Sequence, residues 1–567
     1  MNRFAKSILL IINITIAVSP SLFAQSGTRA ETLPQSVTFW SDYPAETLAR
    51  TIVERMSDAE CLSQIFMFGW AGAEPEQLLY DWVSRGLGSV KVFGWNTDDI
   101  RLVASSVFSL QRSASQTRFK IPLFVATDQE GGWIRHVKGE TSITPGNMAI
   151  GAAGYPVDAW YSAYYISREI KALGINMNFA PTVDLFTDRT SSIIGPRSFG
   201  DNPEHAGILG AAFSAGSVAA GVIPTAKHFP GHGDTDGDSH VKLPEIDIDE
   251  KTFTHRELVP FEYLVRQKIP AIMSGHLSFP KIDSSGAPAS LSKYFLTDLL
   301  RGKLGFDGLI ITDDMMMNGD TLYAGSLTNA FYLAITAGND ILISSTTARL
   351  NEPLWAVNLE RMKTDAAFRE RVKDAAYRVL KAKLVYFKSG NAAPLYPDAA
   401  SIGKYIPDKE GEKFFFEQAC RSITLYKKGT VPLSSRDAGR VLFVGSPSRF
   451  FTEGKRRYAS SGDYRFSSEP GPNETQYMCD HILESAAPYN TVVCCVSNAQ
   501  SARIARTLKG SGKKVVIFSI MSPEHALEFV WADSVVMGYS WSAYTFDAMF
   551  GALAGEYEAQ GTLPFKP

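Results

Sequence analysis

The sequence predicts an α/β protein in which an N-terminal (β/α)8 barrel of the TIM type, residues 40–388, precedes a smaller C-terminal α/β sandwich domain, residues 409–567. Eight short apolar runs alternate with stretches of helical period before residue 345, and a second, shorter alternation begins at residue 440. The chain has 567 residues, several times the length of a typical domain, so we expect more than one hydrophobic core.

The barrel prediction rests on the number of strands. The eight predicted strands are residues 63–68, 89–93, 121–126, 175–181, 222–226, 270–274, 308–312 and 340–343. Amphipathic stretches such as residues 45–57, 159–173 and 292–300 separate them. Eight buried strands alternating with helices over about 300 residues are typical of this barrel. The alternative is an open doubly wound sheet, but no glycine-rich phosphate-binding motif follows any of these strands.

A stretch rich in Pro, Gly, Ala and Ser, residues 389–408, is predicted to be the linker between the two domains. The second domain is predicted to contain strands 440–445, 491–497, 513–520 and 534–540, with helices near 499–509, 522–531 and 543–556. Apolar strands with intervening helices indicate a parallel sheet covered by helices.

The N-terminus has the pattern of a secretory signal peptide over residues 1–24. Arg3 and Lys6 precede an apolar run at residues 8–18, and a small residue, Ala24, stands near the expected cleavage point. The apolar run is shorter than the ~20 residues that span a bilayer. The sequence therefore predicts export, to the periplasm or the extracellular space, and no membrane span in the mature protein.

Composition excludes several classes of protein. The net charge is −3, with 56 Lys and Arg against 59 Asp and Glu, which argues against a nucleic-acid partner. The five cysteines are too few for a disulfide scaffold in so long a chain, and none forms the CxxC pair of a structural zinc site. No motif indicates a particular oligomeric state.

The densest cluster of reactive side chains is KHFPGHGDTDGDSH, Lys227 to His240, directly after the fifth predicted strand. Active sites of such barrels lie at the carboxyl ends of the strands. Residue chemistry alone leaves three interpretations of this loop open. It is catalytic, it binds a metal through His228, His232 and His240 or through its alternating Asp residues, or it is structural.

Further acidic residues follow other predicted strands, and all of them belong to one rim of the barrel. They are Asp128, Asp184, Asp313 and Asp314, and His276 joins them after the sixth strand. A single Asp after a strand is commonly a helix cap. Several of them on one rim, together with a His-rich loop, favour acid–base or nucleophilic chemistry of the kind used in glycoside hydrolysis.

The motifs in this region resemble those of family 3 glycoside hydrolases, and specifically the bacterial β-N-acetylglucosaminidase branch. The motifs are ATDQEGG, APTVD, PRSFGDNP, KHFPGHGDT followed by DSH, GFDGLIITDD and AGND, within residues 45–345. The region after residue 410 is similar to the second α/β domain of the family and ends in AGEYEAQGTLP. The resemblance implies the barrel fold and a carbohydrate substrate.

The resemblance also implies the catalytic residues. Asp313 matches the nucleophile, His240 matches an unusual general acid/base, and Asp238 matches the residue that orients His240. The physical chemistry agrees, because an Asp is ionised at neutral pH and a His titrates near it without being perturbed. This scheme needs no metal ion and no other cofactor.

The residues expected to bind the sugar by the same resemblance are Asp128, Arg197, Lys227 and His228, with Asp184 and His232 near it. One position departs from the family pattern, since Trp133 replaces the usual Arg after EGG and Arg135 follows two residues later. A tryptophan here belongs either to the core or to a surface that stacks on a second sugar ring.

The expected activity is therefore retaining exo-hydrolysis of terminal β-linked N-acetylglucosamine from peptidoglycan fragments or chitooligosaccharides, through a covalent glycosyl-enzyme. Three alternatives stay open from the sequence: phosphorolysis of the same bond, a β-glucosidase of the same family, and a catalytically silent saccharide-binding protein.

Overall fold

The computed structural model describes residues 33–191, 193–235 and 243–567. The predicted signal peptide, residues 1–24, lies outside the described residues, as do Asp238 and His240. Within the described part of the chain, no helix is both long enough and apolar enough to cross a membrane.

Eight parallel strands close into a barrel, which confirms the predicted fold class. They are β1 Phe66–Phe68, β2 Ser89–Lys91, β3 Phe124–Thr127, β4 Met177–Asn178, β5 Ile223–Phe229, β6 Ala271–Ser274, β7 Leu309–Asp314 and β8 Ile341–Ser344. Each strand pairs with its neighbours in sequence, and β8 returns to β1 with Leu342 beside Phe66. Because the barrel is closed, the open doubly wound sheet is excluded.

All eight predicted strands overlap with observed ones because both faces of a barrel strand are buried. Every residue of β1, β3, β6 and β8 is buried, so these strands are near-continuous apolar runs instead of alternating patterns. Strand β5 is fully buried over seven residues although it contains Lys227 and His228. Polar residues in such a strand need partners inside the protein.

Helices cover the outside of the barrel. They are Ala45–Arg55, Asp58–Gln64, Gln77–Ser84, Ile100–Ala114, Asn147–Ala153, Pro156–Ala172, Pro203–Ala220, Glu250–Thr252, Val259–Arg266, Asn318–Ala324, Leu327–Ala337, Pro353–Thr364 and Ala366–Phe387. The predicted helix at 292–300 is present as the wider π-type helix Tyr294–Lys303, and Phe253–Glu257 has the same form. Sequence signals fix several of the ends, such as the capping box of Ser57 with Glu60.

The second sheet has six strands with the order β9–β14–β13–β12–β10–β11. They are β9 Thr424–Lys427, β10 Val441–Gly445, β11 Ser461–Arg465, β12 Thr491–Val496, β13 Lys514–Ser519 and β14 Ser534–Met537. Its helices are Lys409–Ser422, Ser435–Ala438, Ser448–Arg457, Pro472–Ala486, Ala499–Arg506 and Ala543–Ala554. The four predicted strands are present, and the sheet is parallel except for β9, which is antiparallel to β14.

The second domain packs against the barrel beside its rim. Arg421 forms a bidentate ion pair with the buried Asp158, and Phe565 packs edge-on against Phe186. The C-terminal segment also bonds to the barrel through its backbone, since Thr562 N donates to the Ala152 carbonyl. The placement of the domain boundary within residues 389–408 stays a prediction.

Candidate active site

Asp313 lies at the carboxyl end of β7 with its side chain about one-fifth exposed, at 21%. The neighbouring Asp314 has a structural task, because its Oδ1 accepts the Ser345 N–H at 2.9 Å and the Met316 N–H at 3.1 Å. Asp313 is therefore the carboxylate of the pair that is available for chemistry. Its Oδ2 lies 3.9 Å from Nε2 of His228.

The surroundings of Asp313 keep it ionised. Burial acts to raise the pKa of this carboxyl, but electrostatic interactions with His228, His276, Lys91 and Lys227 outweigh burial and lower the pKa to about 2. At neutral pH the group is a carboxylate, which is the form that a nucleophile needs.

Asp184 fixes the orientation of His228. Its Oδ2 lies 2.6 Å from Nδ1 of His228, and its Oδ1 accepts the backbone N–H of His232 at 2.7 Å. Burial opposes ionisation of Asp184, yet the interaction with His228 prevails and its pKa is about 2. An ionised Asp184 holds a proton on Nδ1, so Nε2 of His228 is directed towards Asp313 and towards Arg197, whose Nη2 lies 3.5 Å away.

A buried chain of alternating charges forms the other side of the site. Lys227 Nζ lies 2.6 Å from Asp128 and 2.7 Å from Glu130. Asp128 also pairs with Lys91 at 2.9 Å, while Glu130 binds Arg197 in a bidentate pair at 2.8 and 2.9 Å. The structure thus brings together all four residues that the sequence predicted to bind sugar, with Asp313 beside His228.

Two members of this chain of alternating charges, Lys91 and Glu130, were not among the predicted site residues. Glu130 belongs to the ATDQEGG motif, and Lys91 is the only charged residue in the apolar run of the second strand. A lone charge in a strand buried on both faces requires an ionic partner, so a signal for Lys91 was present.

His276 lies beside the strand end that carries Asp313. Its Nδ1 lies 2.9 Å from the buried carboxylate of Asp320, and its Nε2 lies 3.1 Å from the Asp314 carbonyl oxygen. Burial disfavours the charged imidazole, but Asp320 outweighs it and raises the pKa of His276 to about 9. A buried positive charge therefore stands beside the strand end that carries Asp313.

The His-rich loop is described as far as Thr235. Asp234 accepts from Arg256 Nη2 at 2.5 Å, and Arg256 also pairs with Glu257 at 2.6 Å. Burial raises the pKa of Glu257 to about 7 despite that partner. The roles of Asp238 and His240 stay predictions, because both lie outside the described residues.

The interpretation of this loop as a metal site also depends on Asp238 and His240, which lie outside the described residues. Among residues 33–191, 193–235 and 243–567 there is no group of three or more His, Cys, Asp or Glu side chains placed to hold a metal ion. Nδ1 of His228 is already bound to Asp184.

Comparison with known proteins places this geometry in a family. The model for the glycosyl hydrolase family 3 N-terminal domain matches residues 62–382. The chain belongs to glycosyl hydrolase family 3. The resemblance identified from the motifs is thereby confirmed.

Among the curated relatives, "Beta-hexosaminidase A" of Pseudoalteromonas piscicida is 33% identical over 65% of this chain and 64% of its own length. A "Beta-hexosaminidase" of Pseudomonas aeruginosa is 35% identical over 54% of this chain and 89% of its own length. This chain thus spans slightly less than two-thirds of the Pseudoalteromonas protein.

Among solved structures, a family 3 β-N-acetylglucosaminidase from Paenibacillus sp. str. FPU-7 superimposes with a TM-score of 0.80 at 26% identity. That match covers 90% of this chain and 99% of the other. A β-glucoside phosphorylase superimposes with a TM-score of 0.77 at 21% identity, a likeness that shows the fold alone.

The family 3 position after EGG is a surface residue in this chain. Trp133 is 39% exposed, which removes the interpretation that it belongs to the core. Arg135, two residues later, donates to the carbonyl oxygen and to Oγ1 of Thr141 at 2.7 and 2.8 Å. Arg135 is thus held within its own loop.

Proposed function

We propose that this protein is a retaining exo-glycosidase that hydrolyses terminal β-linked N-acetylglucosamine through a covalent intermediate on Asp313. The observation that carries the proposal is the ionised Asp313 carboxylate, held at the barrel rim beside His228 and the buried charge chain. Family membership and the names of the relatives support the hexosaminide substrate class.

In the first step, Asp313 attacks the anomeric carbon and the bond to the leaving oxygen breaks. A general acid must protonate that oxygen, and His240 is the residue that the sequence motif offers, oriented by Asp238. In the second step water attacks the glycosyl-enzyme, His240 accepts its proton, and Asp313 is released. The scheme uses no cofactor.

The charge chain supplies hydrogen-bonding groups for the sugar hydroxyls. Lys227, Arg197 and His228 are donors, while Asp128 is an acceptor, and all are fixed by their neighbours before a sugar binds. Groups that are already oriented lose little entropy on binding and stabilise the developing charge without reorganising.

The decisive experiment compares an aryl N-acetyl-β-glucosaminide with the matching aryl β-glucoside. We expect turnover of the former, and a loss of at least about 10³-fold in Asp313→Ala. Asp307→Ala, at a carboxylate whose side chain is 89% exposed, is the matched control and should be fully active. If the enzyme prefers the glucoside, it is a β-glucosidase and the proposed substrate is wrong. If it turns over no aryl glycoside, the saccharide-binding protein is favoured.

The products decide between hydrolysis and phosphorolysis of the same bond. We expect free N-acetylglucosamine in phosphate and phosphate-free buffer alike. A sugar 1-phosphate as the main product in phosphate buffer would overturn the assignment to hydrolysis.

We further propose that the enzyme is exported and acts in the periplasm or outside the cell on peptidoglycan fragments or chitooligosaccharides. The basic and apolar pattern of residues 1–24 supports export. N-terminal sequencing of the protein recovered from the periplasm should find cleavage close to Ala24, and an intact N-terminus in the cytoplasm would contradict the proposal.

A further inference from the structure

A cavity of about 460 Å³ opens at the barrel rim, between the carboxyl ends of β1, β2 and β8. Trp70 follows β1, Trp95 follows β2, and Ser345 to Thr347 follow β8, and all of them line it together with Glu76. Its volume falls within the range of small-molecule sites. None of these lining residues took part in the sugar-binding chain described above.

The cavity adjoins the catalytic site on two sides. On one side, Ser345 N–H donates to the carboxylate of Asp314, the residue next to the nucleophile. On the other side, Trp95 stacks on Phe93 with ring centroids 4.4 Å apart and planes 4° from parallel. The Phe93 ring lies 4.2 Å from Nζ of Lys91, which in turn binds Asp128. Two short series of direct contacts therefore join the lining of the cavity to the residues around Asp313 and Asp128.

Trp95 presents an aromatic surface whose orientation is fixed. One face of its ring is covered by Phe93, and its Nε1 donates to the Trp70 carbonyl oxygen at 2.8 Å. The side chain is nevertheless 51% exposed. A half-exposed indole that is held rigidly loses little entropy when a ring stacks on it, and sugar rings offer apolar C–H faces to such surfaces.

Trp70 supplies an independent indication of a ligand. It is only 2% exposed, and its Nε1 has no hydrogen-bond partner within the described part of the chain. A buried donor without a partner is costly, and a ligand hydroxyl in the cavity that Trp70 lines would satisfy it.

The backbone next to the cavity is packed closely at Gly69. A Cβ at Gly69 would stand 2.6 Å from both the Phe93 ring and the Ser345 carbonyl oxygen. The side chain of Thr347 donates to the Gly69 carbonyl at 2.7 Å. The aromatic surface, the free indole donor and the hydroxyl and carboxylate groups around them match an amphipathic, neutral, polyhydroxylated ring.

We propose that this cavity is the leaving-group subsite, in which Trp95 stacks on the second sugar of a β-linked oligosaccharide and Trp70 donates to one of its hydroxyls. This inference rests on the proposed function, because it takes the first sugar to be bound at Asp313 and Asp128. It makes Trp95 a specificity-determining residue that acts only when the leaving group is a sugar.

The test compares two substrates that differ only in the leaving group. N,N′-diacetylchitobiose places a sugar in the cavity, whereas the β-fluoride of N-acetylglucosamine places nothing there. We expect Trp95→Ala to lower kcat/KM for the disaccharide about ten-fold and to leave the fluoride unchanged, and Trp95→Phe to retain most of the activity. Trp40→Ala, at another tryptophan that is 45% exposed, is the matched control.

Equal losses on both substrates, or no loss on either, would overturn the inference. A binding measurement separates this failure from failure of the proposed function. In an Asp313→Ala background, calorimetry should show weaker binding of the disaccharide when Trp95→Ala is added, with binding of free N-acetylglucosamine unchanged. That result would uphold the subsite even if the wild type hydrolysed neither substrate, and an unchanged disaccharide affinity would exclude it.

Discussion

Replacing Glu130 with Gln should destabilise the barrel more than almost any other isosteric change. Glu130 is 1% exposed, and its carboxylate forms the bidentate pair with Arg197 and a 2.7 Å pair with Lys227. Glutamine keeps the shape but removes the charge, so that two buried cations lose a shared anion. Breaking a buried pair from one side typically costs about 3–5 kcal/mol.

The pKa of Glu130 gives a second measure of the same cost. Burial alone would raise it, but Arg197 and Lys227 lower it from 4.5 to about 2. At about 1.4 kcal/mol for each factor of ten in proton affinity, that difference corresponds to about 3 kcal/mol. The pKa in the folded state lies below that in the unfolded chain. The stabilisation is therefore fully present above pH 4.5 and is lost as the pH falls from 4.5 through 2.

Urea unfolding at pH 7, 5 and 3, followed by tryptophan fluorescence, measures the free energy of unfolding on which this stabilisation depends. We expect Glu130→Gln to lose about 3 kcal/mol at pH 7 and roughly half as much at pH 3. The control is Glu140→Gln, because Glu140 pairs with Arg101 at 3.2 Å while both side chains are about half exposed. That change should cost less than about 1 kcal/mol. The reasoning is refuted if the two variants unfold alike, or if the loss at Glu130 does not depend on pH.

Two further predictions concern other buried charges. Asp320→Asn removes the group that keeps His276 protonated, so the pKa of Asp313 should rise. The acidic limb of the pH profile of kcat/KM should then move up by about one pH unit. An unmoved limb would show that His276 does not act on Asp313. Lys383 is fully buried, and burial holds its pKa well below 10.5. Because the unfolded chain binds the extra proton, the wild type should gain up to about 1.4 kcal/mol of stability per pH unit as the pH rises towards 10.5. Lys383→Met should lack that gain, and equal slopes in the two proteins would contradict it.

The strands that the sequence predicted are those buried on both faces. It missed the short hairpin strands Gln129–Gly131 and Ile134–Arg135. The two strands of the second sheet that it missed, β9 and β11, lie at the edges of that sheet. Strand β11 reads SGDYR and is only partly buried, so it has neither a continuous apolar run nor a clean alternation. The predicted helix at 522–531 is likewise two short 3₁₀ turns, Pro523–Ala526 and Phe529–Trp531. Edge positions and short turns are stabilised by tertiary contacts, which local pattern does not contain.

Some residues of the candidate site could be predicted from the sequence and others could not. Residues at strand ends, such as Asp128, Lys227 and Asp313, were predictable because parallel strands of a closed barrel end on one rim. Asp320 was not, since it lies beyond β7 in the helix Asn318–Ala324 and reaches the site only through His276. Nothing in the sequence around Asp320 distinguishes it from any other Asp in the first turn of a helix. Only the packing of that helix on the rim reveals its partner.

The arrangement of charges explains why a site proposed to bind a neutral sugar contains so many ion pairs. Lys91, Asp128, Lys227, Glu130 and Arg197 alternate in sign and together carry one positive charge, which balances the negative charge of Asp313. Each pair fixes donors and acceptors that would otherwise need water, so the hydroxyls meet groups that are already oriented. His228, His276, Lys91 and Lys227 together keep the Asp313 carboxyl ionised. In the proposed reaction, positive charge develops on the sugar as the glycosidic bond breaks, and Asp313 is the nearby anion that would stabilise it. The sequence therefore needs matched pairs at the strand ends, because any single buried charge would cost more stability than its contact with the sugar could return.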